Sequence, residues 1–486
     1  MPEEELIALR KEKLAKLRDR GIDPYPARFD RTHTNADAAD LAPRSGPGAF
    51  VTIAGRVTAM RGMGKASFMD LRDGSGRIQA YLKQEALGSE AYALLKEIDL
   101  GDFVGVSGHL FRTKTGEPTV EVGELIILTK ALRPPPEKWH GLQDVEARYR
   151  QRYLDLMANE EARDIFVVRS RAIARIRRFL DERGFLEVET PILQGAAGGA
   201  AARPFVTHHN ALDRDFFLRI AIELHLKRLV VGGFDHVYEI GRIFRNEGVS
   251  TKYNPEFTML EVYQAYADYN GIMDLVEEMV STVAGDVLGD TKVQYGEHVI
   301  NFAPPWPRIR LRDAILEYAD IDINEHPNAD SLQRAIASKE VHTEPTWGRG
   351  KLIDELATIF VEPHLMQPTF LIDYPIELSP LAKKKLEAAG YVERFEFFIC
   401  GRECGNAYTE LNDPIDQRER FIEQARLRAQ GDDEAEVADE DFLVALEHGM
   451  PPTGGLGIGI DRLIMALTGQ SSIREVILFP ALREKQ

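Results

Sequence analysis

The chain has 486 residues, of which 44% are hydrophobic and 28% charged, an ordinary composition for a globular protein of two or three domains. No apolar run approaches the roughly 18 residues of a membrane span, and the acidic start Met1–Glu5 has no apolar signal-peptide core. The two cysteines, Cys400 and Cys404, have no His or further Cys close by in sequence, as a zinc site would need. We therefore expect a cytoplasmic protein with neither a disulfide framework nor a membrane span.

The charge is distributed unevenly along the chain. The formal net charge is −18 at pH 7. Residues 1–135 hold 20 Lys and Arg against 19 Asp and Glu, whereas the remainder holds 40 against 59. The N-terminal part is therefore the part expected to approach a polyanion. The acidic total does not exclude nucleic-acid contact that is confined to patches.

A helix and a set of short strands come first in chain order. Leu and Ile recur among basic residues over 4–20, which predicts an amphipathic helix that is either solvated or lies on a nucleic-acid backbone. Five β-rich runs follow, separated by Gly and Asp-Gly turns. Together with one helical insertion they predict a small barrel of the OB type. The five runs are Val51–Val57, Ala66–Leu71, Ile78–Leu82, Phe103–Leu110 and Val120–Leu128.

From about Phe166 onwards the pattern is α+β. A helix is predicted over Val168–Arg183, and the later strands and helices show no βαβ alternation, which argues against a doubly wound sheet. Antiparallel pairing is expected, for example of Val237–Arg245 with Phe257–Tyr263. We predict an N-terminal helical extension at 1–50, the barrel at 51–135, a linker at 136–165 and the α+β domain at 166–486.

Polar and aromatic residues recur in phase on three predicted strands, where residues two apart share a face. Polar groups repeated in this way line a pocket or face solvent, and their mixture with Gly, Asn and aromatic residues favours a pocket. The sets that share a face are Arg245 with Glu247, Phe257 with Glu261 and Tyr263, and Asn406 with Tyr408 and Glu410.

A glycine-rich run, 454–459, precedes Asp461 and Arg462. Its glycines recur with a period of two, which predicts a strand that another group approaches closely. The run is not the G-x-G-x-x-G dinucleotide pattern, and no Walker lysine follows it. By itself it indicates little about function.

Several charged residues suit a nucleoside triphosphate. Arg245 has a planar fork that can bridge a carboxylate and a phosphate. Phe257 offers one face to a purine, and Arg462 is a candidate for the other. Glu396 and Glu403 are natural magnesium ligands near a triphosphate.

Three ordered segments resemble motifs 1, 2 and 3 of the class II aminoacyl-tRNA synthetases: Glu187–Pro191, Phe244–Phe257 and Gly454–Arg462. Nearly the whole chain is similar to the bacterial type of class II lysyl-tRNA synthetase. The resemblance implies an α+β protein with an N-terminal OB-fold β-barrel that binds the anticodon and a class II catalytic domain, an antiparallel sheet flanked by helices. The segments that carry it are Gly198–Phe205, Thr207–Asn210, Arg219–Leu224, Asn254–Thr258, Gly401–Glu403 and Leu478–Pro480.

The same resemblance implies a role for each matching residue. ATP would be bound by Arg245, Glu247, Lys252, Tyr253, Phe257 and Arg462, with Arg245 and Arg462 as the catalytic residues. Lysine would be bound by Gly199, Glu223, Arg245, Glu261, Tyr263, Asn406, Tyr408 and Glu410. Mg²⁺ would be held by Glu396 and Glu403. The anticodon would be read by Phe68 and Gln79, with an acidic partner at either end of Glu117–Glu121.

The implied activity is that of a lysine–tRNA ligase. It would convert L-lysine and ATP into lysyl-adenylate, transfer the lysine to the 3′ end of tRNA(Lys), and act as a homodimer joined through the motif 1 region. Glu261 and Glu410 suit a long cationic side chain, because two nearby buried carboxylates gain from an ammonium between them. They disfavour an enzyme for aspartate or asparagine.

Two alternatives belong to other classes of protein. A catalytically dead homologue that binds tRNA or lysine is disfavoured by the retained arginines and metal-binding glutamates. An enzyme that lysylates a protein is disfavoured by the predicted barrel. One departure from the pattern is Lys252-Tyr253, where many relatives carry Arg-His, and it concerns the contacts of this loop with ATP rather than the reaction.

Overall fold

The computed structural model describes residues 2–43, 48–136, 142–196, 198–200, 202–339, 341–345, 347–429 and 438–484. The chain forms two compact units, residues 1–143 and 144–486. Residues 144–165, predicted as linker, belong to the second unit and are largely helical. Residues 137–141 of that predicted linker lie outside the described residues. No helix in the described ranges is long and apolar enough to cross a membrane.

A closed β-barrel forms the centre of the first unit, with the order β1-β2-β3-β5-β4 in the described part of the chain. Its inward positions are apolar, and the side chains of Val51, Ile53 and Val57 are fully buried. The predicted OB barrel is thereby confirmed. The strands are β1 Phe50–Met63, β2 Ala66–Arg72, β3 Arg77–Lys83, β4 Phe103–Arg112 and β5 Pro118–Thr129, and the helices are α1 Glu3–Asp19, α2 Asn35–Leu41, α3 Gln84–Leu87 and α4 Ser89–Ala93.

The N-terminal helix α1 is attached to the barrel by polar contacts. Arg10 is buried and donates hydrogen bonds to the carbonyl oxygens of Leu100, Ala131 and Arg133, at 3.0, 2.9 and 3.2 Å. Lys13 pairs with Asp99 at 2.6 Å. Arg10 and Lys13 therefore fix the helix to the barrel. The alternative that the basic residues of this helix are simply solvated does not hold for these two.

The second unit is built on a mixed sheet flanked by helices. Its strands are β6 Leu186–Glu187, β7 Leu193–Gln194, β8 Val206–His209, β9 Arg214–Leu218, β10 His236–Phe244, β11 Glu256–Ala265, β12 Lys292–Tyr295, β13 His298–Asn301, β14 Arg308–Arg310, β15 Thr369–Pro375, β16 Tyr391–Ile399, β17 Arg402–Thr409 and β18 Thr453–Gly459. Its helices are α5 Val145–Arg150, α6 Arg152–Ala158, α7 Glu160–Asp181, α8 Glu223–Val231, α9 Tyr269–Leu288, α10 Leu311–Ala319, α11 Ala329–Ile336, α12 Arg349–Leu356, α13 Pro414–Ala429, α14 Glu440–Glu447, α15 Ile460–Leu467 and α16 Ile473–Val476.

The main sheet has the strand order β14-β15-β16-β17-β18-β11-β10-β6 within the described residues. Neighbours from β15 to β10 pair antiparallel, as predicted, whereas β14 and β6 pair parallel at the two edges. Strand β6 spans two residues and β14 spans three, which is too few for a periodic pattern to appear in the sequence. Helix α7 begins at Glu160 rather than at the predicted Val168.

One face of this sheet lies on the main hydrophobic core. Leu260 and Val262 of β11, Ala407 of β17, and Leu456 and Ile458 of β18 are buried there with residues of α7, α9 and α15. Because side chains alternate along a strand, the residues between them point to the opposite face. That opposite face carries the candidate site.

Candidate active site

The register of three central strands brings the predicted residues into two rows. Gly457 of β18 lies between Glu261 of β11 and Asn406 of β17. Directly opposite residues in an antiparallel pair share a face. The next row is formed in the same way, with Gly455 between Tyr263 and Tyr408.

The glycine strand β18 makes room for the polar groups on both sides. A Cβ atom at Gly455 would lie 1.9 Å from Oε1 of Glu410 and 2.6 Å from the Tyr263 ring. A Cβ atom at Gly457 would lie 3.3 Å from Oδ1 of Asn406. The period of two in the glycines predicted that another group approaches this strand closely. In the structure the groups that do so are the side chains of Glu410 and Asn406.

Three carboxylates form a buried acidic pocket on this face, with Glu223, Glu261 and Glu410 only 8%, 4% and 0% exposed. Glu261 accepts hydrogen bonds from the Ile222 N–H at 3.0 Å and from the Tyr263 hydroxyl at 3.2 Å. Burial, with the neighbouring charge of Glu223, raises the pKa of Glu261 to about 7. The pKa of Glu410 is raised to about 8 by burial, against the opposing charge of Lys227.

One oxygen of Glu410 is left for a ligand. Both oxygens of Glu410 are buried without a hydrogen-bond partner in the described part of the chain; Oε2 forms an ion pair with Nζ of Lys227 at 2.5 Å, whereas Oε1 lies on the side of Gly455. Gly199 completes this region: it has φ +83°, and a Cβ atom there would lie 3.6 Å from the Glu223 Cβ. The pocket is therefore acidic and incompletely satisfied, which suits a cationic ligand.

Arg245 lies just beyond the end of β10 with most of its donors uncommitted. Its Nε donates to the Ile220 carbonyl at 3.4 Å, and no ion pair to it is formed by the described residues. The guanidinium lies 5.3 Å from the centre of the Phe257 ring, and burial lowers its pKa. A half-buried guanidinium with unused donors is suited to an anion.

The loop between β10 and β11 lies against Arg462. The Ser250 hydroxyl accepts from the N–H groups of Lys252 and Tyr253 at 3.0 and 3.1 Å. The Tyr253 ring centre is 5.7 Å from the Arg462 guanidinium carbon. In the structure Arg462 is thus next to Tyr253, and the cation beside Phe257 is Arg245; that a purine lies between Phe257 and Arg462 stays a prediction.

Glu247 lies at the start of the same loop and is exposed. Its N–H donates to the Arg245 carbonyl at 2.9 Å, so a tight turn separates the two residues. Strand β10 ends at Phe244, so the strand face predicted for Arg245 and Glu247 is not formed; the charge of Glu247 nevertheless acts on Arg245.

Glu396 and Glu403 lie on the two arms of the β16–β17 hairpin. Glu396 accepts from the Tyr374 hydroxyl at 2.7 Å and from Arg394 at 2.6 Å. Arg462 donates to the Glu403 carboxylate at 3.1 Å and to its carbonyl at 2.7 Å. Burial raises the pKa of Glu396 to about 7; Arg394 opposes this rise and the charge of Glu403 adds to it.

Phe68 and Gln79 come together on the outer surface of the barrel in the first unit. They line a cavity of about 470 Å³ that also includes Glu117. Phe68 stacks on Tyr81 with ring centres 4.6 Å apart. Glu121, the other candidate for the acidic partner of the anticodon, pairs with Lys83 at 2.6 Å.

Several residues of the site were missed in the sequence. Lys227 follows Glu223 by four positions on α8, and this spacing is equally typical of a solvent-exposed helix pair. Arg394 and Tyr374 donate hydrogen bonds to Glu396. Arg394 could have been found, because it lies two residues before Glu396 on one strand and therefore shares its face. Tyr374 could not, because it lies on a neighbouring strand that is distant in sequence.

Comparison with known proteins gives the family. Residues 144–483 match the family model described as tRNA synthetases class II (D, K and N), and residues 51–128 match that of the OB-fold nucleic acid binding domain. The chain belongs to the class II tRNA synthetases of this D, K and N group, and within them to the lysine--tRNA ligase family. That membership makes it an ATP-dependent aminoacyl-tRNA ligase.

The relatives match the chain from end to end. A lysine--tRNA ligase from Dehalococcoides mccartyi is 56% identical over 492 residues, covering 100% of this chain and 99% of that protein. The lysine--tRNA ligase from Moorella thermoacetica is also 56% identical, with the same coverage. That from Bacillus cytotoxicus is 52% identical, covering 99% of this chain and 97% of its own length.

Proposed function

We propose that this protein activates L-lysine with ATP to form lysyl-adenylate and then transfers lysine to the 3′ end of tRNA(Lys). The family supports the reaction, since its relatives over the whole chain are named lysine--tRNA ligases. The single structural observation that carries the choice of lysine is the unpartnered Oε1 of Glu410 in a buried acidic pocket.

The acidic pocket takes both ammonium groups of lysine. The ε-ammonium lies at Glu261 and Glu410, with the Tyr263 hydroxyl and the Tyr408 ring beside them. A neutral side chain of similar shape would leave these carboxylates unpaired, which can cost roughly 10⁴-fold in discrimination. The α-ammonium lies at the other end, between the Glu223 carboxylate and the Gly199 carbonyl.

The anionic groups of the substrates face the arginines. Arg245 binds the lysine carboxylate and the α-phosphate, with Asn406 also at the carboxylate. Arg462 meets the γ-phosphate. ATP binding moves the Tyr253 ring away from Arg462 or places it against the nucleotide. The adenine is held by Phe257 and Glu247, and Lys252 reaches a phosphate as a point charge.

The residues present fit Mg²⁺ as the cofactor. Glu396 and Glu403 repel one another, and their mutual charge contributes to the raised pKa of Glu396; a divalent cation would remove that repulsion. Glu396 and Glu403 are the two side chains that would hold the ion; no cluster of three or more metal-ligating side chains occurs among the described residues. When bound, Mg²⁺ neutralises phosphate charge.

The chemistry needs no side-chain nucleophile. A carboxylate oxygen of lysine forms a bond to the α-phosphorus of ATP, and the bond to the β-phosphate oxygen breaks, releasing pyrophosphate. A terminal hydroxyl of tRNA then forms the ester bond at the lysyl carbonyl and AMP leaves. Arg245 aligns the attacking carboxylate with the α-phosphate, and both arginines neutralise the charge on the phosphates.

The barrel binds the anticodon through its outer cavity. Phe68 stacks on one base and Gln79 reads the edge of another. The acidic partner is Glu117, because it lines the same cavity, whereas Glu121 is not among the residues that line it. Within the anticodon cavity Arg77 joins Glu117 at 2.5 Å, which holds the carboxylate in place.

A second copy of the chain covers the motif 1 segment. Leu186, Ile192 and Leu193, which flank Glu187–Pro191, are 48%, 44% and 47% exposed, Val206 is 60% exposed, and β6 is an edge strand within the described residues. Apolar side chains and an open edge are suited to an interface. We place the homodimer in the cytoplasm, where its tRNA substrate is found.

The first experiment is amino-acid-dependent exchange between pyrophosphate and ATP, without tRNA. Lysine, ornithine, aspartate and asparagine are compared as substrates. Exchange that is selective for lysine supports both the adenylation step and the pocket. Exchange with another amino acid would refute the roles of Glu261 and Glu410, and no exchange from folded protein supplied with Mg²⁺ would refute the activity.

A further inference from the structure

An internal lysine occupies the end of the acidic pocket. Lys227 on α8 is fully buried, and its Nζ lies 2.6 Å from Oε1 of Glu223 and 2.5 Å from Oε2 of Glu410. Its ammonium is also 5.8 Å from the centre of the Phe442 ring. Burial alone would lower the pKa of Lys227, but the charges of the two glutamates outweigh burial and raise it. Lys227 is therefore a permanent cation inside the pocket.

The charges of the pocket balance only when this cation is counted. Glu223, Glu261 and Glu410 are three buried carboxylates, and with Lys227 they carry a net charge of −2. Lysine brings two ammonium groups to these residues, and its carboxylate goes to Arg245. Unbalanced charge is costly in a buried site. The two ammonium groups of the substrate neutralise the charge of −2 that remains when all three carboxylates are ionised and Lys227 is counted.

Lys227 also divides the two oxygens of Glu410. It forms an ion pair with Oε2 and leaves Oε1 on the side of Gly455; neither oxygen has a hydrogen-bond partner in the described ranges. A carboxylate held at one oxygen has its other oxygen in a defined place. The substrate ammonium then meets a carboxylate that is already oriented.

We propose that Lys227 is a positioning residue that determines amino-acid specificity: it favours the ionised form of Glu410, orients this carboxylate, and sets the pocket charge to the value that a second lysine, the substrate, neutralises. This inference rests on the proposed lysine pocket. It assigns Lys227 no contact with ATP or the reacting atoms. Loss of its charge must therefore change the KM for lysine and not that for ATP.

The test removes the charge of Lys227 and follows lysine-dependent exchange. In Lys227→Gln, Glu410 faces Glu223, Glu261 and Tyr263 without a cation, which raises its pKa further. We expect the lysine KM to rise at least about tenfold near pH 7. The pH at which lysine binding recovers should be higher in Lys227→Gln than in the wild type, because Glu410 then ionises only at higher pH. Lys227→Arg, which keeps the charge, should restore much of the affinity.

A double variant separates charge from packing. Glu410→Gln alone leaves the pocket at −1, whereas Lys227→Gln with Glu410→Gln returns it to −2. We therefore expect the double variant to bind lysine at least as tightly as Glu410→Gln. Removing both partners of a buried ion pair costs less than removing one, so this comparison remains available if Lys227→Gln alone does not fold.

A matched control is available in the other unit. Lys130 is also fully buried and pairs with two carboxylates, Asp99 at 2.5 Å and Asp102 at 2.7 Å. Lys130→Gln should lower the melting temperature and leave the lysine KM unchanged, since exchange does not use tRNA.

Three results would overturn the proposal for Lys227. They are an unchanged lysine KM in folded Lys227→Gln, a parallel rise of the KM for ATP, and a further loss of about tenfold or more from Glu410→Gln to the double variant. Failure of the lysine pocket itself is distinguished by Glu410→Gln alone, which would then leave the lysine KM unchanged.

Discussion

The carboxyl groups of Glu261 and Glu410 titrate close to neutral pH, because burial raises their pKa to about 7 and about 8. Their charged neighbours are Glu223, Glu239 and Lys227. The lysine ammonium binds the ionised carboxylates, so protons must leave before or upon binding. We predict that the lysine KM in exchange rises as pH falls from about 8 to about 6, and that calorimetry shows proton release on lysine binding.

Glu410→Gln removes one titrating group and should flatten the lysine profile. A lysine KM that is constant over this range, with no proton release, would show that both carboxyl groups are already ionised in the free protein.

The Tyr374 hydroxyl holds one oxygen of Glu396, and Arg394 holds the other. Partners of a metal ligand commonly contribute about 10- to 100-fold to metal affinity. Tyr374→Phe should therefore raise the Mg²⁺ concentration for half-maximal exchange by about tenfold, measured at saturating lysine and ATP. Tyr391→Phe is the matched control, because its hydroxyl bonds Asn324 at 2.6 Å outside the site. Equal Mg²⁺ dependence in the two variants would contradict the metal role of Glu396.

At the scale of elements, strand β18 has glycine at the two positions that face the pocket, Gly455 and Gly457. A Cβ atom at Gly455 would lie 1.9 Å from Glu410 Oε1, so Gly455→Ala must displace the carboxylate or the backbone. We expect the lysine KM to rise at least about tenfold, with a smaller effect on the ATP KM. Gly285→Ala on α9, where nothing lies within 4 Å, is the control and should leave both constants unchanged. Wild-type lysine KM in Gly455→Ala would contradict the pocket geometry.

The elements also show what sequence can and cannot supply. The period-two pattern placed Glu261 and Tyr263 on one face because that rule is local. Lys227 was missed because its partner Glu410 comes from a strand far along the chain, and a Glu–Lys spacing of four is ordinary on exposed helices. The choice of Glu117 over Glu121 likewise depends on which residue reaches the Phe68 cavity, which is long-range information.

At the scale of the whole molecule, the two units divide the proposed reaction. The second unit contains the residues proposed to bind lysine and the phosphates, and the first contains the cavity proposed to bind the anticodon. The fold class was predictable because each unit has its own periodicity: short strands with turns in one, and antiparallel strands with helices in the other. The parallel edge strands were not predictable, because they contain too few residues to show a pattern.

This division predicts that adenylation and tRNA charging respond to different substitutions. Phe68→Ala removes the half-buried ring that lines the proposed anticodon cavity, and loss of one stacked base costs about 1–3 kcal/mol. The kcat/KM for tRNA(Lys) in aminoacylation should fall about 10- to 100-fold, while lysine-dependent exchange stays at the wild-type rate because it uses only the second unit. Phe50 is another aromatic residue of the barrel; it is 59% exposed, and its ring lies against that of His109. Phe50→Ala should leave both reactions intact. A loss of exchange in Phe68→Ala would mean that the barrel contributes to adenylation, and unchanged charging would remove Phe68 from the anticodon surface.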